Sequence, residues 1–325
     1  MAVQNESNLA TAQTVAREKF TEIFQGPAPG AGMLFAEEYD SNSLTDNVSF
    51  LALMGTVREW LGDRVSNSFI AYAQSIVLRK WELTFGLPRT FVEYDTTGGV
   101  GRALSSAIAQ VRANSDDKLI FDSLVSNSGA GPVGFDLLNL LSTAHVIGSQ
   151  SAQSNKTTSA LSFTTYDTAY QTVTGYVGAS GESLNAVPKT LVVGPKMLRT
   201  ALEIANADSV PVTVSTAGAL EYPGTAQTSN ISPGSGIMNV YKGQVDVVMW
   251  NRLTGAYDDY WYLLSEVGGG GAKPMLLKRN REWELIERTS LTDDARWTRD
   301  TYEWAIEADK APAAGAWPAI YGGIL

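Results

Sequence analysis

The chain has 325 residues, 44% of them hydrophobic and 18% charged, enough to bury a core of its own and long enough for about two domain-sized units. Its 24 basic and 34 acidic residues leave a formal charge of −10, which disfavours tight nucleic-acid binding through many phosphate contacts. There is no cysteine, so disulfide frameworks, thiolate metal sites, iron–sulfur clusters and cysteine nucleophiles are excluded.

Charged residues at Glu6, Arg17, Glu18 and Lys19 break up the N-terminus, and no apolar core of signal-peptide length stands there. No charge-free apolar run approaches the roughly 20 residues of a membrane helix, so the chain reads as soluble and intracellular in origin. Leu9, Ala12, Val15, Phe20, Ile23 and Phe24 predict a helix over 10–24, stopped by the Gly26–Gly30 segment. Residues 1–45 read as an arm without a core of its own, which needs a partner surface.

Val48–Met54 is a short apolar run, and Phe69–Phe85 favours extended structure. Near its end Trp81, Leu83 and Phe85 alternate with Lys80, Glu82 and Thr84, the pattern of a strand with one covered face. Two strands in a long ribbon are marginal alone, so the apolar face lies on the body or on a neighbour. After Gly98-Gly99, the spacing of Leu104, Ile108, Val111, Leu119, Ile120 and Leu124 predicts a long helix. A break is expected near Asn114-Ser115, with Asp116 and Asp117 opening the second part.

Farther on, a polar loop over 148–159 precedes a helix over 164–176. Lys189–Pro195 reads as a buried strand that turns into a helix with Met197, Leu198, Ala201, Leu202 and Ala205 on one face. Residues 223–236 read as an exposed loop, and 238–250 and 257–264 as strands. Past the boundary at Gly268–Gly271, a final strand sets Tyr302, Trp304, Ile306 and Ala308 on a core face and Thr301, Glu303, Ala305, Glu307 and Asp309 on a wet one. The C-terminal tail, Ala311–Leu325, is apolar and is expected to dock somewhere.

Residues for chemistry are sparse. His145 is the one histidine, and Gly178-Ala179-Ser180-Gly181 lacks the spacing of a nucleophile elbow. One imidazole without thiolates does not fill a tetrahedral metal site, and Asp116-Asp117, Asp258-Asp259 and Asp293-Asp294 read as solvated turns or caps. Gly99-Val100-Gly101 is followed by Leu104 where a dinucleotide fingerprint needs glycine, and Pro274 stands where a phosphate loop needs Ser or Thr. The eight tryptophans and thirteen tyrosines fall among aliphatics, which favours packing over ligand stacking. No enzyme activity, cofactor or metal is expected.

Several runs carry a resemblance. Arg58–Arg64 (REWLGDR), Trp81-Glu82-Leu83-Thr84, Ser142-Thr143-Ala144-His145, Thr190–Pro195 (TLVVGP) and Arg299–Trp304 (RDTYEW), in this order, resemble the Mu-type major head subunits of tailed bacteriophages. The resemblance implies an α+β chain with the HK97-like phage capsid fold: an N-terminal arm, an extended E-loop β-hairpin, a peripheral domain with a long spine helix, and an axial domain. Laid on this sequence, the arm is 1–45, the E-loop region 46–97 with its hairpin at 63–95, and the spine-helix part of the peripheral domain 98–130. The axial domain is 131–273, the peripheral return strands 274–310 and the C-terminal tail 311–325.

The function so implied is a major capsid protein that assembles as pentamers and hexamers into an icosahedral shell around double-stranded DNA, made in the host bacterial cytoplasm and found in the virion. Partners would be further copies of the chain, a portal and, in decorated shells, a decoration protein. A separate scaffold protein is implied because no scaffold-sized segment precedes Ala10. The candidate assembly contacts are Phe20, Ile23 and Phe24 in the arm and Phe69, Trp81, Leu83 and Phe85 in the hairpin. The rival readings are an encapsulin-like nanocompartment and a soluble hydrolase using Ser180 or His145.

Overall fold

The computed structural model of the chain describes residues 2–25, 30–53, 69–211, 213–214, 220–222, 225–229, 236–268, 272–290 and 298–325. In chain order it opens with helix α1 (Ala2–Phe24) and strands β1 (Ala36–Asp40), β2 (Thr45–Leu53), β3 (Phe69–Val77) and β4 (Arg79–Pro88). Helices α2 (Arg89–Glu93), α3 (Gly99–Asn114) and α4 (Asp116–Leu124) follow, then β5 (Lys156–Thr157), α5 (Phe163–Thr174), β6 (Val187–Val193) and α6 (Leu198–Asn206). Short strands come next: β7 (Ser209–Pro211), β8 (Thr213–Val214), β9 (Leu220–Tyr222), β10 (Thr225–Ser229) and β11 (Gly236–Met238). The chain closes with β12 (Asp246–Met249), β13 (Trp261–Glu266), β14 (Met275–Arg288), β15 (Thr301–Ala314) and β16 (Ile320–Gly323).

Two sheets organise the molecule. One has the order β1-β14-β15-β4, with β1 parallel to β14 and the other pairs antiparallel. Along β15 the expected alternation holds: Tyr302, Trp304, Ile306 and Ala308 are buried, and the residues between them are half-buried. Helices α1 and α3 cover that face, with Ala12, Ala16, Leu104 and Ile108 in the same cluster as Trp304. The other sheet has the order β12-β6-β13-β16-β5 and carries the larger core, including Val192, Trp261, Leu263, Trp317 and Ile320. Each large apolar side chain buried this fully stabilises by about 1.5–3 kcal/mol.

The long helix is interrupted where the spacing places the break. Ser115, with ψ −106°, leaves the helical region, and its hydroxyl donates to the Arg112 carbonyl at 2.7 Å, satisfying one of the last carbonyls of α3. At the other end of α3, Asp95 acts as the cap, its carboxylate accepting from the N–H groups of Thr97, Gly99 and Val100 at 2.9, 3.1 and 2.8 Å. These bonds hold the Asp95 carboxyl down at about 2. Helix α5 starts on a reciprocal cap between Ser162 and Thr165.

Several expectations are corrected by packing. Helix α1 does not wait for a partner's surface: it lies on α3, Gln13 donates to Thr289 at 2.7 Å, and Asn8 donates to the carbonyls of Glu93 and Asp95 at 3.2 Å. The hairpin is made by β2 and β3, with Phe50 opposite Tyr72, while β4 leaves it at Leu78 and joins β15. The 311–325 segment is no separate tail. Residues to Ala314 finish β15, and β16 pairs with both β13 and β5, burying Trp317, Ile320, Tyr321 and Ile324 within the chain. Gly323 is required there, because a Cβ would run into the Trp261 indole.

Asp116 and Asp117 are not solvated. Both are buried, and as neighbours at a helix start they reach opposite ways. Asp116 Oδ1 accepts from Lys310 Nζ at 2.8 Å and Trp283 Nε1 at 2.9 Å, in the core under the four-stranded sheet. Asp117 Oδ1 accepts from the Gly32 N–H at 2.8 Å and Trp250 Nε1 at 3.0 Å, and Oδ2 pairs with Arg252, in the other core. One dipeptide therefore joins the two halves. Asp258 and Asp259 do sit at the surface, bridged by Lys196 at 3.2 and 2.8 Å. Asp293-Asp294, Arg58–Arg64 and Gly269–Gly271 lie outside the described residues.

Candidate assembly surfaces

The hairpin rises from a root fixed by polar contacts. Lys278, fully buried on β14, donates to the Ser43 carbonyl at 2.7 Å and pairs with Asp46 at 3.2 Å. Hydrogen bonds from Ser43 and Ser41, with the Lys278 ammonium beside them, hold the Asp46 carboxyl down at about 2. Burial, helped by Asp46, pushes the neighbouring Tyr39 hydroxyl up to about 12. Ile76 completes the root, packed with Ala311 and Ala313.

Beyond the root the hairpin folds over its own chain. Phe135 stacks on Phe50 with ring centroids 4.6 Å apart and tilts against Tyr72 at 5.3 Å. Tyr72 Oη accepts from the Gly148 N–H at 3.0 Å, and Gln74 Nε2 donates to the Val133 carbonyl at 3.0 Å. Phe69, at the far end of β3, is 61% exposed.

The other candidate contacts divide by what covers them. Phe20, Ile23 and Phe24 pack partly buried on the core beneath α1, with Phe20 stacked on Phe24 at 4.5 Å and Arg112 lying over the Phe24 ring. Trp81 donates to the Lys310 carbonyl at 2.9 Å, and Phe85 stacks over Trp304. Leu83 lies between these two on the same face of β4, opposite Ile306, yet it is 51% exposed. Phe69 and Leu83 are thus the open positions of the set, and the structure does not bring the seven residues into one site.

Two exposed aromatics escape the sequence reading. Phe91, in α2, and Tyr94, just after it, border a cleft of about 790 Å³ that Leu87, Pro88 and Val100 also line. Their signal is an aromatic pair three residues apart in a segment bounded by Pro88 and Gly98, where only one helix face has room to be buried.

The residues of the hydrolase reading are placed otherwise. His145 is fully buried and stacked flat on Trp317 at 4.4 Å, with Nδ1 2.5 Å from Asp136 Oδ2 and Nε2 3.2 Å from the Leu140 carbonyl. Both ring nitrogens are therefore taken by partners that order a loop. Ser180 sits in the turn closed by the Val177–Ser183 bridge, and no hydrogen bond joins it to His145 among the described residues. Among those residues, no cluster of three metal-ligating side chains forms and no helix is long and apolar enough to cross a membrane.

Comparison with known proteins follows the same lines. Residues 9–163 match the family described as Mu-like prophage major head subunit gpT, a span that takes in most of α1, the hairpin, and α3 with α4. The Mu-like prophage FluMu major head subunit of Haemophilus influenzae is 26% identical over 121 residues, 37% of this chain. That alignment spans 38% of the curated relative's length. Among solved structures, the procapsid of bacteriophage JBD30 superposes with a TM-score of 0.52 at 15% identity, covering 98% of this chain and 75% of that one. A chain from the structure of Mycobacterium phage Patience gives 0.54 at 11% identity, covering 98% and 87%. Over residues 9–163 the chain carries the match to the Mu-like prophage major head subunits, and as a whole it has the HK97-like fold of phage capsid proteins.

Proposed function

We propose that the chain is the major capsid subunit of a tailed bacteriophage, a structural protein that assembles as pentamers and hexamers into an icosahedral head around double-stranded DNA. The observation that carries this reading is the match over 9–163, which spans the hairpin and helices α3 and α4 of a fold shared with the procapsid chain of bacteriophage JBD30. Exposed apolar residues on the hairpin, on β4 and at α2 support it. Phe69, Leu83, Phe91 and Tyr94 are each more than half exposed, more apolar surface than a subunit acting alone has use for.

The net charge of −10 fits a container whose lining leaves a polyanion free to move. Further partners on this reading are a separate scaffold and a portal, with a decoration protein in decorated shells, and the site of action is the virion, after assembly in the host cytoplasm. Phe20, Ile23, Phe24, Trp81 and Phe85 then serve as a packed support, and Phe69 and Leu83 as the open contacts. Native mass spectrometry of the subunit during assembly tests the proposal. Ring species of five and six copies are expected, and a monomer that never passes through a ring contradicts it.

A further inference from the structure

The hairpin's contact with its own chain has the features of a latch. Phe50 and Tyr72 are cross-strand partners and straddle Phe135 from the same face. Tyr72 and Gln74 each add one hydrogen bond to backbone on the opposite side, at Gly148 and Val133. The hairpin is therefore held at a defined place rather than lying loosely over the surface. The fit is incomplete, however. A cleft of about 380 Å³ opens beside these rings, lined also by Ile147, Leu184 and Pro318, whereas a core contact of the same residues would be close-packed. Polar anchoring beside a partly filled apolar seat is a contact that holds but opens at modest cost.

The loop that carries the seat is itself fixed. Asp136, next to Phe135, is held by His145, and Leu137 adopts a left-handed backbone (φ 64°) and is 83% exposed. The root of the hairpin is pinned separately by Lys278. Opening at Phe135 thus leaves the root in place and needs β2 and β3 to bend only between Asp46 and Ile76 at the root and Phe50 and Tyr72 at the seat.

We propose that this seat is an autoinhibitory latch: in the free subunit the hairpin lies against Phe135 of its own chain, and it leaves that seat when it engages a second copy. The proposal rests on the shell-forming reading above. While the latch is closed, the fraction of subunits competent to assemble falls, and the concentration needed for assembly rises in proportion.

Because the chain lacks cysteine, two introduced thiols label cleanly. Spin labels at Ala73→Cys and Leu137→Cys, both exposed positions, report the seat by pulsed electron–electron distance. A single short distance is expected in the free subunit and its loss in assembled particles. In unlabelled protein Phe135→Ala should lower the assembly threshold by roughly three- to tenfold, and Tyr72→Phe, which removes only the hydroxyl, by about two- to threefold. Particles that keep the short distance, or variants whose threshold stays or rises, overturn the latch and leave the shell reading intact. A wild-type chain that forms no particle while keeping the short distance overturns the shell reading, and the restraint with it.

Discussion

Replacing Asp117 tests whether the joint between the two cores holds the subunit together. Asp117→Ala removes an acceptor from two buried donors, Gly32 N–H and Trp250 Nε1, and takes the carboxylate from Arg252. A buried donor left without a partner costs about 1–3 kcal/mol, and breaking a buried ion pair about 3–5 kcal/mol. The losses overlap, because Arg252 keeps its bonds to the Ala113 carbonyl and Asn114 and is partly exposed. A net cost of about 3–5 kcal/mol is therefore expected, a large part of a domain's stability. Asp117→Asn is the informative control. Gly32 and Trp250 both bond to Oδ1, so an amide oxygen placed there keeps both, while the amide NH2 replaces Oδ2, faces the Arg252 Nε–H donor to donor and loses that charged hydrogen bond, for about 1.5–3 kcal/mol. Urea unfolding of the soluble subunit, followed by tryptophan fluorescence, measures the difference. Equal costs for the two variants, or a cost below about 1 kcal/mol for alanine, would refute the reasoning.

Other outcomes follow from single contacts. Leu83→Asp, at an uncovered position, should change unfolding free energy by less than about 0.5 kcal/mol while abolishing particle formation; particles of normal yield would remove Leu83 from the interface. Gly323→Ala forces a methyl group into the Trp261 indole beside a strand flanked on both sides, and should cost about 3 kcal/mol or more by thermal or urea unfolding. The Asp95 carboxyl is lowered from 3.8 to about 2, so the unfolded chain takes up its proton first. Its contribution is complete above about pH 4 and is lost as pH falls from 4 through 2, and Asp95→Asn should flatten that part of the stability–pH curve. An unchanged acid limb in the variant would show that the cap carries no such linkage.

What was legible in the sequence was what repeats locally. The alternation of Tyr302, Trp304, Ile306 and Ala308 and the spacing of Leu104, Ile108 and Val111 lie within single elements, and both appear where the periodicity puts them. The break at Ser115 was legible for the same reason. Pairing across long separations was not. β16 lies between β13 and β5, whose residues are some sixty and one hundred and sixty positions away, so the last residues read as a tail rather than as a strand.

Asp116 and Asp117 show the limit most clearly. Adjacency correctly implies side chains pointing in different directions, but their burial depends on Lys310, Trp283, Trp250 and Arg252, which only the fold brings near. The candidate contacts followed suit: Trp81 and Phe85 share a face with Leu83, and which of the three stays exposed is a tertiary fact.

The central claim is that this 34.9 kDa chain builds a closed shell. Light scattering joined to negative-stain imaging of the purified protein, alone and with a candidate scaffold protein, tests it most directly. The account predicts rings and closed particles of megadalton mass; a persistent monomer of about 35 kDa under every condition, with no particle on the grid, would contradict it.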